Sequence, residues 1–150
     1  MSSSFGYNEL VTIPARNIAD ILGIKADTIG ELDEHVQKGL PKQSLERTLH
    51  TVYLEKRDGK ELQAQVIPIA TLKRRKSRLS TAESERTERL ARVAAMARQT
   101  WNNDEDAARE WLKAPHPELA NVPPIEAALT EIGARRVEAI LGKIFYGLPA

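Results

Sequence analysis

Apolar side chains recur along most of this chain at the three- and four-residue spacing of helices, while the alternation of a half-buried strand is weak. Pro14 opens a first predicted helix that runs to Leu22 and stops at Gly23. A second spans residues 28–38 and ends at Gly39-Leu40-Pro41. A third covers residues 44–54, with Leu45, Leu49 and Val52 on one stripe. Arg57-Asp58-Gly59 reads as a turn. Residues 60–65 then form a short helix, Val66-Ile67-Pro68 a break, and residues 69–76 a second short helix. Proline makes the break because it lacks an amide donor and pushes its predecessor away from helical geometry. Two short helices around a tight break are the layout of a helix-turn-helix.

The best helix signal follows. Ser80-Thr81-Ala82-Glu83 is a capping box, in which the serine oxygen and the glutamate carboxylate satisfy each other's backbone amides. It opens a predicted helix over residues 81–101 with Leu90, Val93, Ala94, Ala97 and Trp101 inward. Asn102-Asn103 ends it, and Asn103 is placed to cap a helix over 104–113. Pro115 and Pro117 stop that helix. Pro124 starts another, with Ile125, Ala128, Leu129 and Ile132 inward and Gly133 at its end. The last spans residues 134–146, with Val137, Ile140, Leu141 and Ile144 inward, and Gly147 terminates it. The expected fold is all-α in two parts. Residues 1–79 form an N-terminal helical region with the helix-turn-helix at about 60–78, and residues 80–150 a linking helix and a small C-terminal helical domain.

Composition narrows the chemistry. The 150 residues hold no cysteine, which removes disulfides, thiolate zinc sites and a cysteine nucleophile. No apolar run reaches membrane-span length and no signal-peptide layout opens the chain, so a cytoplasmic protein is expected. The net charge of +1 conceals a basic middle, because residues 69–98 carry a balance of +6 between two mildly acidic flanks. Such a local excess suits an anionic partner.

The three histidines make no metal-binding pattern, and no phosphate-binding glycine loop or nucleophile elbow is present. The carboxylates of Asp104, Glu105 and Asp106 fit a helix's first turn, where they complement its dipole. No catalytic constellation emerges, and neither an enzyme nor a cofactor is expected. Two features remain. Lys73, Arg74, Arg75, Lys76 and Arg78 crowd the second helix of the helix-turn-helix, where a recognition helix enters the major groove. Thr71, just before them, can meet a phosphate or a base edge. A solvated helix face is the bland alternative for such a run. Phe145 and Tyr146 are neighbours near the chain's end, and residues 100° apart cannot both lie on one core stripe. One of them closes the core, or anchors in a partner.

The second half also carries a family pattern. Ala108-Arg109-Glu110-Trp111-Leu112-Lys113-Ala114-Pro115-His116-Pro117-Glu118-Leu119 is a helix ending in Trp-Leu before a proline-containing connection. Pro123-Pro124-Ile125-Glu126-Ala127-Ala128-Leu129-Thr130-Glu131-Ile132-Gly133 and Val137-Glu138-Ala139-Ile140-Leu141-Gly142-Lys143-Ile144 follow in order, then Tyr146-Gly147-Leu148-Pro149-Ala150. Together they resemble the Xre/MbcA/ParS family of bacterial antitoxins and its C-terminal toxin-binding domain. Val66-Ile67-Pro68-Ile69-Ala70-Thr71-Leu72-Lys73-Arg74-Arg75 is similar to that family's degenerate Xre-type helix-turn-helix. Where the family often has a glycine pair before Thr/Ser-Pro, this chain has Ala120-Asn121-Val122-Pro123-Pro124, and residues 1–60 match weakly.

The resemblance implies a cognate RES-type toxin that destroys NAD or transfers ADP-ribose to a protein. It implies neutralisation by Lys143, Phe145, Tyr146, Gly147, Leu148, Pro149 and Ala150 covering the toxin's active site. It further implies operator binding through Thr71, Lys73, Arg74, Arg75, Lys76 and Arg78, and a homodimer within a toxin–antitoxin hetero-oligomer. The alternative is a stand-alone transcriptional regulator whose C-terminal helices only dimerise.

Overall fold

In the computed structural model, which describes residues 13–148, the apolar stripes close on one another and no strand forms among the described residues. The α-helices are α1 (Ala15–Leu22), α2 (Ile29–Lys38), α3 (Gln43–Val52), α4 (Lys60–Val66), α5 (Ile69–Arg74), α6 (Thr81–Thr100), α7 (Glu105–Lys113), α8 (Pro124–Ala127) and α9 (Glu131–Phe145). Single 3-10 turns precede α4 at Lys56–Gly59 and α8 at Pro117–Leu119.

The long helix α6 is the axis. It packs against α1, α2 and α3 on one side and against α7 and α9 on the other. Its buried residues Leu90, Ala91, Val93, Ala94, Ala95, Met96 and Ala97 explain how one helix serves both. Four of them are alanines, which let neighbouring axes approach closely. The capping box is formed as expected: Ser80 Oγ accepts from the Glu83 amide at 3.2 Å, and Glu83 Oε1 accepts from the Ser80 amide at 2.8 Å. A second capping box, Thr28 with Glu31, opens α2. The buried hydroxyl of Ser84 accepts from the Leu40 amide at 2.8 Å, tying the α2–α3 connection to α6.

Several boundaries differ from expectation, each for a local reason. The second helix of the pair over residues 60–76 ends at Arg74, because Arg75 turns extended. Helix α3 ends at Val52, leaving Leu54 exposed. Asp104, not Asn103, caps α7, its carboxylate accepting from the Ala107 amide at 3.1 Å. Trp101 is the C-cap of α6 and only half-buried, with its ring 5.4 Å from that of Trp111. It is therefore not a fully buried core residue.

The largest difference is at residues 124–133. The helix from Pro124 lasts four residues, and Thr130 starts a new one by accepting from the Gly133 amide at 3.0 Å. Ile132 thus lies on α9 and is 68% exposed rather than inward. Gly133 lies inside the first turn of α9 rather than ending a helix. A Cβ there would stand 1.8 Å from the Ala127 carbonyl oxygen, so only glycine lets α8 and α9 approach this closely. Val137, Ile140 and Leu141 are buried as expected, and Ile144 is half-buried against the same core.

Candidate functional site

Two exposed regions collect the residues singled out in the sequence, and they are built differently. The first is α5 with the segment after it. The break between α4 and α5 forms: Ile67 is extended and fully buried, and Pro68 precedes the first turn of α5. The helix has six residues and none is buried. Leu72, half-buried, is its anchor on the core. Lys73, Arg74, Lys76 and Arg78 are exposed, and Thr71 and Arg75 are half-buried.

The side chains of this run have different engagements. Arg74 reaches Thr71 Oγ1 at 3.4 Å, within the same helix. Arg75 makes a bidentate pair with Glu83, donating from Nε at 3.0 Å and from Nη2 at 2.8 Å. Arg78 donates to the Gly39 carbonyl at 3.0 Å. The hydrogen bonds from Arg75 hold the Glu83 carboxyl below the ordinary carboxylate range despite its burial, and the same bonds raise the Arg75 guanidinium. Lys73 and Lys76 make no ion pair with a described residue.

The second region is the end of α9. Phe145 and Tyr146 are each 41% exposed and stack edge to face with ring centroids 5.0 Å apart. Neither closes the core; Ile144 beside them does the packing. Gly147 adopts the left-handed conformation at φ 69°, its amide donating to Ile144 and that of Leu148 to Lys143. This is the Schellman-like stop that the glycine signalled. Leu148 is exposed, and Lys143 pairs with Glu118 at 3.6 Å. Pro149 and Ala150, also expected at this interface, lie outside the described residues.

An ionic layer that the sequence signalled only faintly joins α6 to α9. Arg92 on α6 meets Glu88 at 3.2 Å and Glu138 of α9 at 3.2 Å, and lies 3.8 Å from Glu131. Arg89 also pairs with Glu131 and donates to the Leu129 carbonyl at 2.9 Å. Burial pushes the Glu88 carboxyl up, against the pull of Arg92. Burial also opposes the charge on Arg92, but the three carboxylates outweigh it and raise its pKa. The period of a solvated charged face hid this layer. The only signal was arginine recurring at helical spacing opposite the glutamates of α9.

A groove of about 690 Å³ opens elsewhere, lined by Ile21, Arg47, Leu49, Tyr53, Leu54 and Arg109 among others, and it touches neither region. No group of three or more potential metal ligands is found among the described residues. No described helix is long and apolar enough to cross a membrane.

The α7–α9 region, with α6's last turn, is a match to known proteins. Residues 96–147 match the family described as Antitoxin Xre/MbcA/ParS C-terminal toxin-binding domain. Two relatives named Antitoxin Xre are similar to this chain. The protein of Photorhabdus laumondii is 36% identical over 73 residues, covering 49% of this chain and 49% of its own length. That of Pseudomonas putida is 34% identical over 86 residues, covering 55% of this chain and 54% of its own. The match spans about half the length of each relative. The likeness is thus to the C-terminal toxin-binding domain of the Xre/MbcA/ParS antitoxins, over residues 96–147.

Proposed function

We propose that this chain is the antitoxin of a type II toxin–antitoxin pair, that it has no enzymatic activity of its own, and that it acts by covering a toxin's active site with the end of α9. The partner is a RES-type toxin that consumes NAD or ADP-ribosylates a protein. The α4–α5 helix-turn-helix binds operator DNA, so the same chain regulates its own synthesis, as a homodimer within the toxin complex in the cytoplasm. The observation that carries the reading is the exposed apolar end of α9, Phe145, Tyr146 and Leu148, standing on a domain of a toxin-binding family.

The physical case is direct. One aromatic side chain moved from water into a pocket contributes about 1.5–3 kcal/mol by area. The backbone around it is already ordered by the Gly147 stop, so little conformational freedom is lost on binding. A plug need not touch catalytic groups; it need only fill the volume of the cofactor. Operator binding draws on Lys73, Arg74 and Lys76, whose charges release counterions from the duplex.

Co-expression tests this. With its co-encoded toxin, the full chain is expected to restore growth and to lower NAD turnover or ADP-ribosylation. A chain lacking residues 147–150, or carrying Tyr146→Ala, should protect less at equal abundance. Full protection by both variants at limiting dose would move the occluding surface upstream of the tail. No protection by the full chain would favour the regulator whose C-terminal helices only dimerise.

A further inference from the structure

Helix α5 is too short and too exposed to hold its own angle. It has six residues, buries none, and among the described α-helices is the one without extensive packing on another helix. An isolated helix of that length is unstable in water, so contacts outside the helix must fix it. Beyond the anchor of Leu72 on the core, those contacts are polar and lie on either side of it. Upstream, Arg86 of α6 donates to the Val66 carbonyl at the end of α4, at 2.8 Å. Downstream, Lys42 Nζ donates to the Arg75 carbonyl at 3.0 Å, the Lys42 amide to the Ser77 carbonyl at 2.9 Å, and the Leu79 amide to the Leu40 carbonyl at 2.9 Å.

The Arg75–Glu83 pair is the strongest of them. It is bidentate and therefore fixes direction as well as distance. Its carboxylate is also the one that caps α6 through the Ser80 amide, and the Glu83 side chain is only 6% exposed. One buried group thus joins the exit of α5 to the entrance of the most deeply packed helix.

We propose that Arg75 and Glu83 are a positioning pair that sets the angle of α5 against α6, leaving Lys73, Arg74 and Lys76 to meet the polyanion. This deepens the operator-binding reading above and rests on it for its consequence, though not for the pair itself. Arg75 is then a fastener in the middle of a basic run, and Arg78, spent on the Gly39 carbonyl, is another. The run's five cations are of two kinds, and their order along the chain does not reveal which is which.

The opposite assignment makes an opposite prediction. If Arg75 were a DNA contact held back by Glu83, releasing it would tighten binding. The decisive variant is Glu83→Gln. Glutamine still serves in a capping box, so the start of α6 is kept while the charged pair is lost. Neutralising a carboxylate also favours DNA in general, so a loss of affinity has to come from misplaced α5.

The test uses the full chain and a duplex from upstream of its own coding sequence. Glu83→Gln and Arg75→Gln are expected to weaken binding about tenfold, on the scale of one charge-assisted bond, with the salt slope unchanged. Lys73→Ala should instead flatten the slope by about one. Amide hydrogen exchange without DNA should speed up across residues 69–75 in both glutamine variants. Tighter binding with a steeper slope in Glu83→Gln would overturn the proposal, as would wild-type exchange rates or faster exchange with unchanged affinity. If the wild-type chain does not bind the duplex, operator binding fails, and the exchange rates alone decide the pair.

Discussion

The two exposed regions are held by opposite means. Helix α9 is seated by burial: Ala134, Val137, Ile140 and Leu141 are all under 5% exposed, and its polar contacts with α6 lie outside that core. Helix α5 has no buried residue and, beyond the half-buried Leu72, is seated by hydrogen bonds and one ion pair. The two regions therefore tolerate different changes. Burial is non-directional and makes a firm base for an apolar end that meets a protein surface. A bidentate pair is weaker overall but fixes an angle, which is what a helix entering a groove requires.

That contrast breaks most visibly at the core. Leu141→Ala removes a fully buried side chain of α9 and is expected to cost about 2–5 kcal/mol, read from the urea midpoint. An unchanged midpoint would mean that α9 is not seated by burial. Gly133→Ala comes next. Alanine is the better helix former by about 1 kcal/mol, but its Cβ would overlap the Ala127 carbonyl. Overpacking of about 1–3 kcal/mol should win, lowering the melting temperature. A rise would show that the α8–α9 contact relaxes freely.

The polar seat of α5 should show itself through pH. Arg75's hydrogen bonds hold the Glu83 carboxyl below the ordinary carboxylate range, so the folded chain gives up that proton at lower pH than the unfolded chain does. Its contribution is complete above the unfolded carboxylate pKa, about 4.3, and is lost as pH falls through the lower folded value. Wild-type stability should therefore drop further than that of Glu83→Gln between neutral and acid urea titrations. Parallel losses would remove Glu83 as a stabilising carboxylate. Glu88 contributes with the reverse sign, because burial raises its pKa, and it is present in both chains. The smallest effect is Ile132→Ser, expected within about 0.5 kcal/mol because that side chain is 68% exposed.

Ile132 also marks where reading the sequence stopped working. Its spacing from Ile125, Ala128 and Leu129 fits one helical stripe, but Thr130 caps a new helix two residues earlier. A threonine three residues before a glycine gives no glutamate for a full capping box, so the local signal lost to the longer pattern. Where both signals agreed, as at Ser80 and Glu83, the helix start was legible. The all-α class, the short pair around Pro68 and the Gly147 stop were legible for the same reason: each rests on residues adjacent in the chain. The use of Arg75 and the burial of Arg92 were not, because both depend on which helices pack together. Trp101 shows the limit of a stripe, whose last member falls on the cap and stays half-buried.

On the proposed function, the apolar end of α9 is the part that engages the toxin. Titration calorimetry of the purified chain into its purified cognate toxin tests it most directly, comparing the full chain with one lacking residues 147–150 and with Tyr146→Ala. Each variant should bind at least about tenfold more weakly, the loss matching one buried apolar side chain, while its own melting curve stays that of the full chain. Equal affinity in all three, with intact folding, would contradict the claim.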